Sequence, residues 1–175
     1  AEIEIALLDK TGTLTTGNPT ISNIFVAKGE TEDRVLRITA GLESRSNHPY
    51  AKTIINELEK RSLEPMKITQ IKDGEAGVTG KIREKTTIFG RADWLISEGI
   101  SIPQEIQNSL NETRKSGSGA SLLSIGNSVI AMFEFAHDDA RKGVRDAISE
   151  FDQLGVTVEL LSGDEQSSVE EFARS

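Results

Sequence analysis

Asp9 stands at the end of the apolar run Ile5-Ala6-Leu7-Leu8 and opens the polar string Asp9-Lys10-Thr11-Gly12-Thr13-Leu14-Thr15. A carboxylate at the tip of a buried strand is a candidate nucleophile for phosphoryl transfer. The hydroxyls of Thr11 and Thr13, with the backbone N–H groups around Gly12, are of the kind that hold phosphate oxygens. A second tip repeats this grammar: the run Val156–Leu161 ends at Ser162-Gly163-Asp164, which offers a hydroxyl and a glycine backbone. Open α/β sheets place ligands at strand ends of this kind. A third constellation, Glu43-Ser44-Arg45-Ser46-Asn47-His48-Pro49, sets a carboxylate and an imidazole five residues apart. A His before Pro at a helix start also has an ordinary use, as a cap or a packing residue.

The elements that must position these groups follow from periodicity. Ile3 to Leu8 alternates and then becomes continuously apolar, the pattern of a strand buried on both faces at its end. Ile21, Ile24 and Val26 predict a strand. Thr31 is placed to cap a helix carrying Val35, Ile38 and Leu42. Pro49 suits a first helical turn, followed by Ala51, Ile54, Ile55 and Leu58. Short strands are predicted at Met66–Ile71, Val78–Ile82 and Thr86–Phe89, the last two as a hairpin. Two helices follow, one over Ala92–Ser97 and one with Ile106 and Leu110. Ala120–Ile125 and Ser128–Phe135 form a second hairpin across Gly126-Asn127. The short connections predict antiparallel pairing throughout this middle block. After Phe135 the order becomes helix (Val144, Ile148, Phe151), strand (Val156–Leu161) and a helix-like Ser167–Arg174. Trp94 and the Ile54/Leu58 stripe are expected in the core. The acidic runs Glu30–Asp33 and Asp164–Glu171 are expected as solvated helix starts, favoured by the helix dipole.

Composition narrows the function. Twenty Lys and Arg against 28 Asp and Glu give a net charge of −8, which disfavours nucleic acid as a partner because that needs clustered positive charge. The chain has no cysteine, so thiolate metal sites and Cys nucleophiles are excluded. No segment approaches the ~18 apolar residues of a membrane span, and no basic-then-apolar signal pattern opens the chain.

The two strand tips together resemble the first two motifs of haloacid-dehalogenase-like phosphotransferases. Phosphatases of that superfamily usually carry a second Asp two residues after the nucleophile, as general acid and base; here that position is Thr11. An aspartyl-phosphate without that base should persist, which suits an enzyme that uses the phosphorylated state to drive something. The whole string Asp9–Thr15 is similar to the phosphorylation motif of P-type ATPases. The resemblance implies that ATP phosphorylates Asp9, with Lys10, Thr11, Thr13, Ser162, Gly163 and Asp164 in the catalytic loops. It implies Mg²⁺ held by the Asp9 carboxylate and the Thr11 carbonyl. Ser162-Gly163-Asp164 stands where the family has Thr-Gly-Asp, and Asp138-Asp139-Ala140-Arg141 resembles its hinge.

Glu43 through Pro49 resembles the signature of the heavy-metal-transporting, copper-type (CPx) branch of that family. The resemblance implies that His48, before Pro49, supports the adenine of ATP and that Glu43 contacts its amino edge. A Gly-x-Gly turn of the family falls at Glu75-Ala76-Gly77, with Glu75 in place of the first Gly. Arg91 stands where the family has Asn. Arg91 is placed either to neutralise Glu75, to reach a phosphate, or to be solvated; Gly77 is the position expected to allow close backbone approach.

The expected fold is an α/β haloacid-dehalogenase-like, Rossmann-like parallel sheet, truncated, with an inserted α+β nucleotide-binding domain on an antiparallel sheet. Residues 1–16 and 137–175 are expected to form the phosphorylation domain and residues 17–136 the nucleotide-binding domain. The family's later Lys and Gly-Asp-Gly-x-Asn-Asp segment do not occur in these 175 residues. The chain is therefore expected to be a piece of a membrane protein, on the cytoplasmic side, poorly active or inactive alone. Its partners would be nucleotide, the membrane and actuator domains of the same protein, and a metal ion bound elsewhere. A soluble phosphatase and a non-catalytic nucleotide-binding module remain as alternatives.

Overall fold

A computed structural model describes residues 5–9, 19–136, 144–154 and 156–161. In chain order its first elements are β1 (Ile5–Asp9), β2 (Thr20–Val26), α1 (Glu32–Glu43), α2 (Pro49–Lys60), β3 (Thr69–Gly74) and β4 (Gly77–Ile82). They are followed by β5 (Lys85–Gly90), α3 (Ala92–Ser97), α4 (Gln104–Lys115), β6 (Gly119–Ile125), β7 (Ser128–Ala136), α5 (Val144–Gln153) and β8 (Thr157–Leu161).

Two sheets result. Strands β1 and β8 pair in parallel, with Ile5 opposite Thr157 and Asp9 opposite Leu161. The other six strands form an antiparallel sheet in the order β2-β7-β6-β5-β4-β3. Strand alternation sends successive side chains to opposite faces, and each face of this sheet builds its own core. Phe89, Leu123 and Ala131 sit side by side across β5, β6 and β7 and pack with Val35, Leu36, Ile54 and Leu58 of α1 and α2. On the other face Ile88, Leu122, Val129 and Met132 pack with Leu95, Ile106 and Leu110 of α3 and α4. The antiparallel block and its hairpin turns match expectation: Ile82 pairs with Lys85 and Ile125 with Ser128. Ile54 and Leu58 are buried, while Trp94 is half-buried against the second core.

One expectation is corrected. The strand predicted to begin at Met66 begins at Thr69. The backbone before it is committed to α1: Met66 N–H donates to the Arg37 carbonyl at 2.8 Å, and Arg37 Nε donates to the Glu64 carbonyl at 2.8 Å. That loop lies over α1 and explains why the helix is buried on nearly all sides from Val35 onward. The acidic start of α1 is exposed, as expected, with Glu32 and Asp33 in its first turn. The Thr31 hydroxyl caps it by accepting from Arg34 N–H, and Glu32 and Asp33 ion-pair with Arg61 at 3.1 and 3.2 Å. Arg61 caps the C-terminus of α2, so these pairs tie the two helices together. The predicted helix Ser167–Arg174, the acidic run Asp164–Glu171 and the Asp138–Arg141 hinge lie outside the described residues.

Gly41 is where α1 and the loop meet most closely. A Cβ there would fall on the Met66 carbonyl oxygen and within 2.8 Å of Ile68 Cγ1. Backbone cannot give way as a flexible side chain can, so Gly41→Ala is expected to destabilise the fold by about 2–3 kcal/mol. A lowered urea midpoint with an unchanged slope would register this; an unchanged midpoint would mean that the loop does not hold α1.

Candidate functional site

Glu43 is the last residue of α1 and is buried, 7% exposed. Its surroundings come from three segments. Ser46, in the loop to α2, donates its N–H to the Glu43 carbonyl at 3.0 Å and its side chain bonds the carboxylate. The same Ser46 hydroxyl accepts from His48 N–H at 3.2 Å. Asp73 of β3 pairs with Val78 of β4, whose side chain joins the core against α1. Its charge therefore bears on Glu43. Burial pushes the Glu43 carboxyl up to about 7; the Ser46 hydrogen bond pulls it down and the Asp73 charge adds to the rise. Glu43 Oε2 is buried and accepts no hydrogen bond within the protein. A buried carboxylate oxygen in that condition is costly and suits a ligand that brings a donor.

His48 is the N-cap of α2, with Pro49 opening the helix. Its Nδ1 accepts from Tyr50 N–H at 3.2 Å, which leaves the proton of the neutral ring on Nε2. The ring stands edge-on to Tyr50 at 4.9 Å, and Tyr50 stacks on Phe135 at 3.8 Å with the planes 2° apart. The capping use expected of such a His is thus real, and it fixes an exposed imidazole against the core. Ser46 ties the backbone N–H of His48 to the neighbourhood of Glu43.

The β3–β4 hairpin turns on Glu75 and Ala76 between the paired Gly74 and Gly77. Gly77 pairs in turn with Gly90 at the end of β5, and Arg91 N–H donates to the Ala76 carbonyl at 3.0 Å. Glu75 and Arg91 are both exposed, and no ion pair joins them. Proximity is therefore set by the backbone, not by charge neutralisation. Gly77 has φ +146°, and the space of its missing Cβ is taken by the Phe89 carbonyl, Gly90 Cα and Trp94. Close approach at Gly77 is thus used within the fold itself.

The part of the chain that carries the β1–β8 pair is described only in part. Asp9 ends β1 level with Leu161, the residue before Ser162, and parallel strands leave the sheet at the same end. Lys10, Thr11, Thr13, Ser162, Gly163 and Asp164 lie outside the described residues. Among the described residues, no group of three or more His, Asp or Glu is arranged to hold a metal ion, and no helix is long and apolar enough to cross a membrane. Sequence reasoning missed the roles of Ser46 and Asp73. Ser46 lies inside the Glu43–Pro49 string and was available to it; the approach of Asp73 comes only from strand pairing.

A copper-exporting P-type ATPase of Staphylococcus aureus (strain bovine RF122 / ET3-1) is 26% identical over 174 residues, 99% of this chain and 21% of that protein. The chain thus spans about a fifth of the curated relatives it matches. The crystal structure of a zinc-transporting PIB-type ATPase in the E2.Pi state superposes with a TM-score of 0.68 at 25% identity, over 98% of this chain and 28% of that one. A catalytic CPx-ATPase domain, CopB-B, shares the fold at a TM-score of 0.70 and 24% identity, over 99% and 57% of the two chains. The family model for haloacid dehalogenase-like hydrolases matches residues 3–175. With the Asp9 strand tip and a match across nearly its whole length, the chain belongs to the haloacid dehalogenase-like hydrolase family.

Proposed function

We propose that this chain is the ATP-handling part of a P-type ATPase that exports a heavy-metal ion, copper being favoured. Residues 17–136 bind the nucleotide, and residues 1–16 with 137–175 belong to a Rossmann-like parallel sheet that carries the phosphorylated Asp9. The observation that carries the reading is the buried Glu43 carboxylate, one oxygen without a partner, five residues before the exposed His48, whose backbone N–H is held by the Ser46 hydroxyl between them. An adenine fits that pair: its exocyclic amino group is a donor for Glu43, and its ring face suits the fixed imidazole. Pro49 sets the helix start that holds His48. Glu75, Gly77 and Arg91 then form the phosphate side.

Asp9 is the nucleophile of the reaction. Its carboxylate attacks the γ-phosphorus of ATP, forms the acyl phosphate and releases ADP. Thr13 and Ser162 hold the equatorial oxygens, with Lys10, Gly163 and Asp164 completing the two loops. Mg²⁺, bound by the Asp9 carboxylate and the Thr11 carbonyl, would spread the charge of the transferred group. Thr11, where a phosphatase of the family would need its acid–base carboxylate, disfavours a soluble phosphatase. Relatives named for copper and for zinc both match; the transported ion is a substrate whose ligands lie in membrane segments, and the chain works on their cytoplasmic side with the actuator domain as partner.

Two outcomes test this reading. In the protein that carries the membrane segments, labelled ATP should leave an acid-stable, hydroxylamine-sensitive label, and Asp9→Asn should abolish it. Label surviving in that variant would remove Asp9 as the nucleophile. The second concerns Glu43 in the nucleotide-free chain. Its folded carboxyl binds a proton more tightly than the unfolded one, at about 7 against 4.5. The stability it contributes is whole below pH 4.5 and is lost as pH rises through 7. Glu43→Gln does not ionise, so its stability advantage over wild type should widen between pH 5 and 8 by about 3 kcal/mol. Urea unfolding across that range measures it, and a constant gap would mean the carboxylate is not held out of water.

A further inference from the structure

The β4–β5 ladder ends in a pair of glycines, Gly77 opposite Gly90. Neither has room for a Cβ. One built at Gly77 would lie 2.8 Å from Trp94 Cζ3, and one at Gly90 would lie 2.8 and 2.9 Å from Trp94 Cε3 and Cζ3. The edge of the indole therefore spans both residues on the α3 side of the sheet. Trp94 is the chain's single tryptophan, and it stands in a six-residue helix that is itself held from elsewhere. Leu95 is fully buried, and Asp93 ion-pairs with Arg114 of α4 at 2.9 Å. Immediately beyond the glycine pair lie the Glu75-Ala76 turn and Arg91, bonded to each other through Arg91 N–H and the Ala76 carbonyl. With Glu75 and Arg91 not ion-paired, side-chain charge does not lock this end of the sheet.

We propose that Trp94 is a positioning residue: its indole, laid across the Gly77–Gly90 pair, holds the Glu75-Ala76 turn and Arg91 in register for the phosphate groups of a nucleotide. This rests on the nucleotide-site reading given above. The glycines supply a floor without side chains and the indole supplies a rigid filler, so the backbone of the turn is pre-organised before a ligand arrives. The adenine side, built on Glu43, Ser46 and His48, belongs to α1, the following loop and α2, and does not use this contact.

The experiment compares wild type, Trp94→Leu and Trp94→Phe by calorimetry with ATP and with adenosine, and by amide hydrogen exchange. Trp94→Leu is expected to weaken ATP by about tenfold while adenosine changes by less than about twofold, and Trp94→Phe should keep most of the ATP affinity. Exchange at Arg91 N–H should accelerate in Trp94→Leu while the β6–β7 ladder is unchanged. ATP and adenosine falling together would reduce Trp94 to ordinary packing and overturn the proposal, as would unchanged ATP affinity with unchanged exchange. Should Trp94→Leu not fold, the same ATP-to-adenosine split, smaller in size, is read on Trp94→Phe, and no split there overturns the proposal. If wild type binds neither ligand, the nucleotide-site reading fails. Exchange at Arg91 N–H then decides separately whether Trp94 holds the turn, and unchanged exchange overturns it.

Discussion

A carboxylate kept out of water at the end of α1 is the constraint on which the middle of this protein turns. Glu43 sits where the helix stops, and the loop that follows must fold back to give it Ser46. That return sets the start of α2, where His48 caps the helix and its ring meets Tyr50 and, through it, Phe135 of the sheet. Burial without a full set of hydrogen bonds raises the carboxyl to about 7. The fold thus tolerates a local cost that a bound donor would relieve, as functional sites commonly do.

The sheet makes that arrangement possible by being covered on both faces. Helices α1 and α2 press on the side of Phe89 and Leu123, helices α3 and α4 on the side of Ile88 and Leu122. One end of the sheet therefore receives two kinds of group. Glu43 and Asp73 reach it from the α1 face, while Arg91 and the Glu75-Ala76 turn reach it through the Gly77–Gly90 pair and Trp94. The charges there are largely acidic, and among the described residues Arg91 is a cation outside any ion pair.

Much of this was legible in the residues. The 3.6-residue spacing of Val35, Ile38 and Leu42 and the two-residue turn Gly126-Asn127 are local signals, and the structure matches them. The pairing of β1 with β8 in parallel was readable from two similar strand tips far apart in the chain. Contacts between segments were not legible. Nothing local tells Met66 to bond to Arg37 instead of starting a strand, and nothing local brings Asp73 toward Glu43 or Trp94 onto two glycines. At the site, Glu43 and His48 were identified through the family resemblance of the string Glu43 to Pro49, but Ser46, which lies between them, gained its role only in three dimensions. The loops from Lys10 to Thr13 and from Ser162 to Asp164 remain expectations from resemblance.

The central claim is that the Glu43–His48 corner takes the adenine of ATP. Calorimetric titration of ATP into wild type and His48→Asn tests it most directly, because Asn keeps the N-cap of α2 while removing the imidazole. The account predicts saturable binding by wild type, with ADP similar to ATP, and a loss of about 1 kcal/mol, roughly fivefold, in the variant. Equal affinities for the two proteins would contradict it.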